Sequence, residues 1–164
     1  EEVTTEGGLD VIKNFEIIQA ISSKLKKEHI ELSLFIDPNQ EIIQAASKLK
    51  AQWIELHTGL YANIYAMLFS NLSRSAHSIK ALELDRNSLH VKLEDALGEL
   101  KQSSKTAHLL GLKVAAGHGL NYQNVKAITL IEEIIELNIG QSIIARSVFV
   151  GFENSVKEMI GLLK

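Results

Sequence analysis

The chain has 164 residues, a formal net charge of −3 and 46% hydrophobic residues, which suits one soluble globular domain with a sizeable core. It contains no cysteine, which excludes disulfides, thiolate zinc sites and cysteine nucleophiles and is compatible with a cytoplasmic location. No apolar run reaches the ~18 to 20 residues that span a bilayer, and the one basic cluster, Lys24, Lys26 and Lys27, reads as a solvated helix face. Neither a membrane span nor a nucleic-acid footprint is expected.

The chain opens Glu1-Glu-Val-Thr-Thr-Glu-Gly-Gly8, without Met and with no strand or helix pattern ahead of it, so a start inside a loop of a longer protein is expected. Apolar residues then recur at helical spacing over 10–28, and Leu32-Ser-Leu-Phe-Ile-Asp37 reads as a strand. Asp37 followed by Pro38 predicts a helix start, with the aspartate as cap, running to about Lys50. Trp53 to Gly59 is a second strand, and 60–82 and 86–110 are predicted as helices. Lys113 to Gly117 is a third strand, Asn124 to Glu133 a short helix and Ile135 to Ile139 a fourth strand. Two helices, Ser142 to Val150 and Asn154 to Lys164, close the chain.

Strands and helices alternate without a hairpin signal, which predicts parallel strands and an α/β fold. Parity within the strands separates two architectures. Leu34 and Ile36, Ile54 and Leu56, and Leu137 and Ile139 each form an aliphatic face. Their opposite faces are mixed: Ser33, Phe35 and Asp37; Trp53, Glu55 and His57; Glu136, Asn138 and Gly140. A doubly wound sheet prefers strands apolar on both faces, whereas a barrel has helices outside only. The expected fold is therefore a (β/α)8 TIM barrel. A whole one takes ~250 residues, so 1–164 is expected to be the C-terminal part of a single domain, about its last four strands.

Barrel chemistry gathers at the C-terminal ends of strands. Here the third strand ends in Ala116-Gly-His-Gly119 and the fourth in Asn138-Ile-Gly-Gln141 before a helix. Glycines let backbone N–H groups approach an anion, and the helix start adds a favourable dipole, so the two turns predict a phosphate cradle. His118 titrates in the useful range, and its spacing alone fits a catalytic histidine as well as one bonded to its own loop. Glu55 lies mid-strand on the lumen-facing parity, where a carboxylate needs partners: it is either an active-site acid or half of an ion pair with Lys113. His57 shares that face and reads equally well as a structural hydrogen-bonding partner. No histidine pair has metal-ligand spacing, so no metal is expected.

Glu2-Val-Thr-Thr-Glu-Gly-Gly-Leu-Asp10, Ser33-Leu-Phe-Ile-Asp37, Ile54-Glu-Leu-His-Thr-Gly59, Ala116-Gly-His-Gly-Leu-Asn-Tyr122, and Glu136-Leu-Asn-Ile-Gly140 with Ile143-Ile-Ala-Arg146 run in order through nearly the whole chain. Together they resemble the pyridoxine 5′-phosphate synthase family. The resemblance implies a barrel that condenses 1-deoxy-D-xylulose 5-phosphate with 3-amino-2-oxopropyl phosphate, closing a pyridine ring, with no metal or organic cofactor and with octameric assembly in the family. By motif, His118 corresponds to the proton donor and Glu55 to the carboxylate that stabilises charged intermediates. Gly119, Gly140 and Gln141 would hold the amino-ketone phosphate, and Thr4 would contact the deoxyxylulose phosphate. The family usually has histidine where Gln141 stands, so a backbone contact is expected there.

The resemblance also places a further catalytic histidine and a general-base glutamate on earlier strands, which these residues do not include. Compact members have a shorter connection than Tyr61 to Leu112, and 62–90 is expected to be an added helical segment. Its Ile64, Leu68, Phe69 and Leu72 would line a subunit interface or pack peripherally. Two rival readings are another phosphate-binding barrel, an aldolase or isomerase, and a non-catalytic half-barrel that binds or oligomerises.

Overall fold

The computed structural model describes residues 7–163, so Thr4 lies outside the described residues. The elements are α1 (Phe15–Lys27), β1 (Ser33–Ile36), α2 (Gln40–Lys48), β2 (Trp53–His57), α3 (Gly59–Phe69) and α4 (Arg86–Leu109). They continue with β3 (Lys113–Gly117), α5 (Val125–Ile128), β4 (Ile134–Asn138), α6 (Gln141–Val150) and α7 (Phe152–Leu162). Single 3-10 turns occupy Leu72–Arg74 and Lys80–Leu82.

All strand pairs are parallel, and the sheet follows chain order, β1-β2-β3-β4. Crossovers between parallel strands are right-handed, so strands added in one direction put all their helices on one side. A doubly wound sheet needs a reversal of strand order instead. The four-stranded parallel sheet is thus compatible with part of a barrel wall.

Side-chain parity follows the same logic. Leu34, Ile36, Ile54, Leu56, Val114 and Ala116 are buried, and they join Ile43 and Ala46 of α2, Ile64 and Leu68 of α3, and Leu100 and Ala107 of α4 in one core. Each fully buried Leu or Ile contributes about 1.5–3 kcal/mol. Phe35, Trp53 and Glu55, on the other face, are only partly buried. No helix among the described residues is long and apolar enough to cross a membrane.

Three local expectations are corrected. The cap of α2 is Asn39, not Asp37: Asn39 Oδ1 accepts from the N–H of Glu41 at 2.8 Å and of Ile42 at 3.2 Å. Asp37 turns back across the strand ends instead. The helix predicted over 60–82 ends at Phe69, because Ser70 Oγ donates to the Ala66 carbonyl at 2.6 Å and accepts from Leu72 N–H at 3.1 Å. Such local side-chain bonds offer the backbone an alternative to the helix. The helix predicted over Asn124 to Glu133 shrinks to one turn, where Thr129 Oγ1 donates to the Lys126 carbonyl.

Ile64 and Leu68 are 1% and 7% exposed and belong to the core, so they are not available to a subunit interface. Phe69 is 46% exposed, with the Arg86 guanidinium over its ring.

Candidate active site

The register of the sheet sets two rows on its open face. Phe35, Glu55, Ala115 and Glu136 pair across the four strands in the lower row. His57, Gly117 and Asn138 pair in the row above, with Asp37 at the end of β1 on the same parity. His118 follows immediately after β3.

Gly117 is small for a reason: a Cβ there would overlap Glu55 Oε1 and come within 3.0 Å of the Asn138 carbonyl oxygen. The Glu55 carboxylate thus lies against the β3 backbone directly before His118. The alternative ion pair with Lys113 is not formed. Lys113 is the first residue of β3, at the far end of the strands, where its Nζ pairs with Glu31 Oε1 at 3.2 Å and lies 4.9 Å from the Trp53 ring centroid. Glu31, in turn, is held below the usual carboxylate range, first by the Trp53 indole N–H and then by Lys113.

His118 has φ 81°, a conformation that a side-chain-bearing residue adopts at a cost of about 1–3 kcal/mol when its surroundings impose it. Thr58 supplies much of that imposition. Its N–H donates to the Gly117 carbonyl at 2.8 Å, and its hydroxyl lies 2.7 Å from that oxygen and 2.5 Å from the His118 carbonyl oxygen. Below the loop, the buried Tyr61 hydroxyl donates to the Asn124 carbonyl at 2.7 Å. Asn124 Nδ2 donates to the Gly119 carbonyl at 3.0 Å, and Asn124 Oδ1 accepts from Asn121 N–H at 2.8 Å. Burial, and secondarily the neighbouring Tyr65, pushes the Tyr61 phenol up to about 12. It therefore remains a hydrogen-bond donor at neutral pH.

The His118 ring packs on His57, centroids 4.7 Å apart, and lies 6.4 Å from Phe35. This shielded face, more than any charge, lowers the pKa of His118; the proximity of His57 lowers it further, and Glu55 opposes both. The rest of the residue is open to solvent.

Gly140 precedes α6, whose first N–H groups have no partner within the helix. Ser142 Oγ donates to the Leu120 carbonyl at 3.0 Å and fastens this helix start to the loop after β3. His118, Gly119, Asn138, Gly140 and Gln141 consequently line a single cleft of about 450 Å³. Four of the residues singled out from the sequence thus share one cleft, and Glu55 lies against Gly117, the residue before His118. Asp37, Thr58, Tyr61 and Asn124 escaped sequence reasoning. Asp37 was masked by its resemblance to a helix cap, and Thr58 stood inside a recognisable block without showing what its hydroxyl would bond.

What the sheet and its strand ends define is a parallel α/β protein with titratable side chains and two glycine-bearing turns at the carboxyl ends of its strands. The model of the family described as pyridoxal phosphate biosynthesis protein PdxJ matches residues 1–164. The pyridoxine 5′-phosphate synthase of Aliarcobacter butzleri is 59% identical over 99% of the chain and 62% of its own length. Those of Sulfurovum sp. and Campylobacter lari are each 56% identical, over 99% and 100% of the chain and 63% and 64% of their own lengths. The chain belongs to the PdxJ family. It spans somewhat less than two thirds of these curated relatives.

Proposed function

We propose that the protein carrying this chain is a pyridoxine 5′-phosphate synthase built on a closed (β/α)8 barrel. It would condense 1-deoxy-D-xylulose 5-phosphate with 3-amino-2-oxopropyl phosphate to pyridoxine 5′-phosphate, releasing phosphate and water. The observation that carries this reading is the gathering of His118, Glu55 and two glycine-bearing turns at one end of one parallel sheet. Ring closure by condensation needs repeated proton transfer between held reactants, and an imidazole beside a carboxylate suits that need.

In this reading His118 gives a proton to the departing oxygen, and Glu55 offsets the positive charge that develops on the nitrogen-bearing intermediate. Gly119, Gly140 and Gln141 present backbone N–H groups to the amino-ketone phosphate, with the α6 start adding its dipole. Thr4 would contact the other phosphate. The chemistry also needs acid–base groups from strands beyond this segment, so residues 1–164 alone should turn over neither substrate.

Steady-state kinetics on the full-length protein tests the reading. His118→Ala should lower kcat by about 10²- to 10⁴-fold with little change in KM. Weakened binding with unchanged kcat would make His118 a phosphate ligand instead. Glu55→Gln should keep the fold and impair turnover; wild-type rates would leave it a structural residue.

A further inference from the structure

We propose that Asp37 and His57 are positioning residues for His118: Asp37 holds the His57 ring through Nδ1, and His57 seats the His118 imidazole at the strand ends. This rests on His118 being the proton-transfer residue.

His57 ends β2 on the same face as Glu55 and is only 8% exposed. Its Nδ1 lies 3.0 Å from Asp37 Oδ1, a separation that requires the proton on Nδ1 and so fixes both tautomer and ring orientation. Nε2 is buried and has no hydrogen-bond partner among the described residues. Its direction is read from Gly59: a Cβ there would lie 2.6 Å from Nε2 and 3.2 Å from Cδ2 of His118, so both rings flank one point at the start of α3. Phe35 closes the other side, meeting His57 edge-on with centroids 5.2 Å apart. Wedged between Phe35 and His118 and tied at Nδ1, His57 has no room to swing.

The same Asp37 oxygen accepts from Gly8 N–H at 3.1 Å, and Leu9 N–H donates to the Phe35 carbonyl at 2.8 Å. One carboxylate thereby ties the segment at 7–9 to the ring wedge. A ring needed only for packing could be phenylalanine; the Asp37 bond marks an imidazole whose orientation matters. The titratable groups around the pair are Asp37 at the end of β1, Glu55 on β2 and His118 after β3, while β4 presents the neutral Asn138 at this level. The proximity of His57 is one cause of the lowered pKa of His118.

The test uses the full-length protein with His57→Asn, His57→Phe and Asp37→Ala, and His118→Ala alongside. Asparagine keeps a donor facing Asp37 but removes the ring; phenylalanine keeps the ring but not the donor. All three should lower kcat, by up to about 100-fold, as expected when a reacting group is misplaced by about 1 Å. In both His57 variants the KM of each substrate should stay within about threefold, and the NMR titration of the His118 ring should move up towards the ordinary histidine value. A His57→Asn protein with wild-type kcat and lowered melting temperature would make His57 a structural tie and overturn the proposal. Wild-type kcat in His57→Phe and Asp37→Ala, with His118→Ala inactive, would overturn the positioning role alone. An active His118→Ala would instead remove the reading on which the proposal rests. Should His57→Phe fail to fold, His57→Asn and Asp37→Ala decide the question by the same criteria.

Discussion

Glu55 fills the space that a side chain on Gly117 would need, so the carboxylate and the backbone leading into His118 share one van der Waals surface. Gly117→Ala should push the carboxylate aside and strain the β3–β4 pairing at Asn138. Overpacking of this kind costs about 1–3 kcal/mol. The expected outcome is a melting temperature lowered by several degrees and a larger loss of turnover than of substrate binding. Wild-type kinetics in a folded Gly117→Ala protein would show that the Glu55 position is not critical.

The lowered pKa of His118 has a definite sign in the pH dependence. Below the ordinary histidine value of about 6.5, the unfolded chain holds a proton that the folded site resists, so folding stability falls as pH drops through that range. Urea midpoints measured from pH 8 to 5 should show this fall, and His118→Asn should reduce it. For turnover the sign is opposite. A proton donor with a lowered pKa is protonated only at lower pH, so the kcat limb assigned to His118 should decline as pH rises through a value under 6.5.

Tyr61→Phe removes one hydroxyl from beneath the loop at 119–124 while keeping the ring in the core. The loss should be about 1 kcal/mol, somewhat more if the buried Asn124 carbonyl finds no other donor. Because Asn124 also holds the Gly119 carbonyl, binding of the proposed amino-ketone phosphate should weaken in step. Isothermal titration with that substrate, beside thermal melts, measures both effects. Lost stability with unchanged binding would separate the Tyr61 support from the cleft.

Lys113→Met tests the separation of the two ends of the sheet. The Lys113–Glu31 pair is exposed on both sides and lies at the N-terminal end of the strands. Pairs of this kind contribute little in water. Turnover should match wild type and the melting temperature should barely move; impaired turnover would bring Lys113 back as a partner of Glu55.

Much of the fold was legible from alternation alone. Leu34 and Ile36, and Ile54 and Leu56, face the helices because strand geometry makes neighbours two apart share a side, and a helix-covered side must be apolar. Glu55 and His57 were legible on the opposite parity for the same reason. The errors have a common cause in local competition. Asp37 matched a helix cap, but Asn39 lies two residues nearer the helix and takes the free N–H groups, which releases Asp37 to His57. Ser70 ends α3 in the middle of an apolar periodicity that, without that serine bond, would have continued.

By itself, the sequence determined the strand faces, the parallel α/β class and the blocks that mark the PdxJ family, since each depends on residues close together in the chain. Only the tertiary structure decided who meets whom. Asp37 with His57, Thr58 with Gly117 and Tyr61 with Asn124 are 20, 59 and 63 residues apart. The register of the parallel strands brings those groups to one level, and no local periodicity encodes that register. Lys113 fell away from Glu55 for the same reason: two residues along a strand are enough to carry a side chain to the other end of the site.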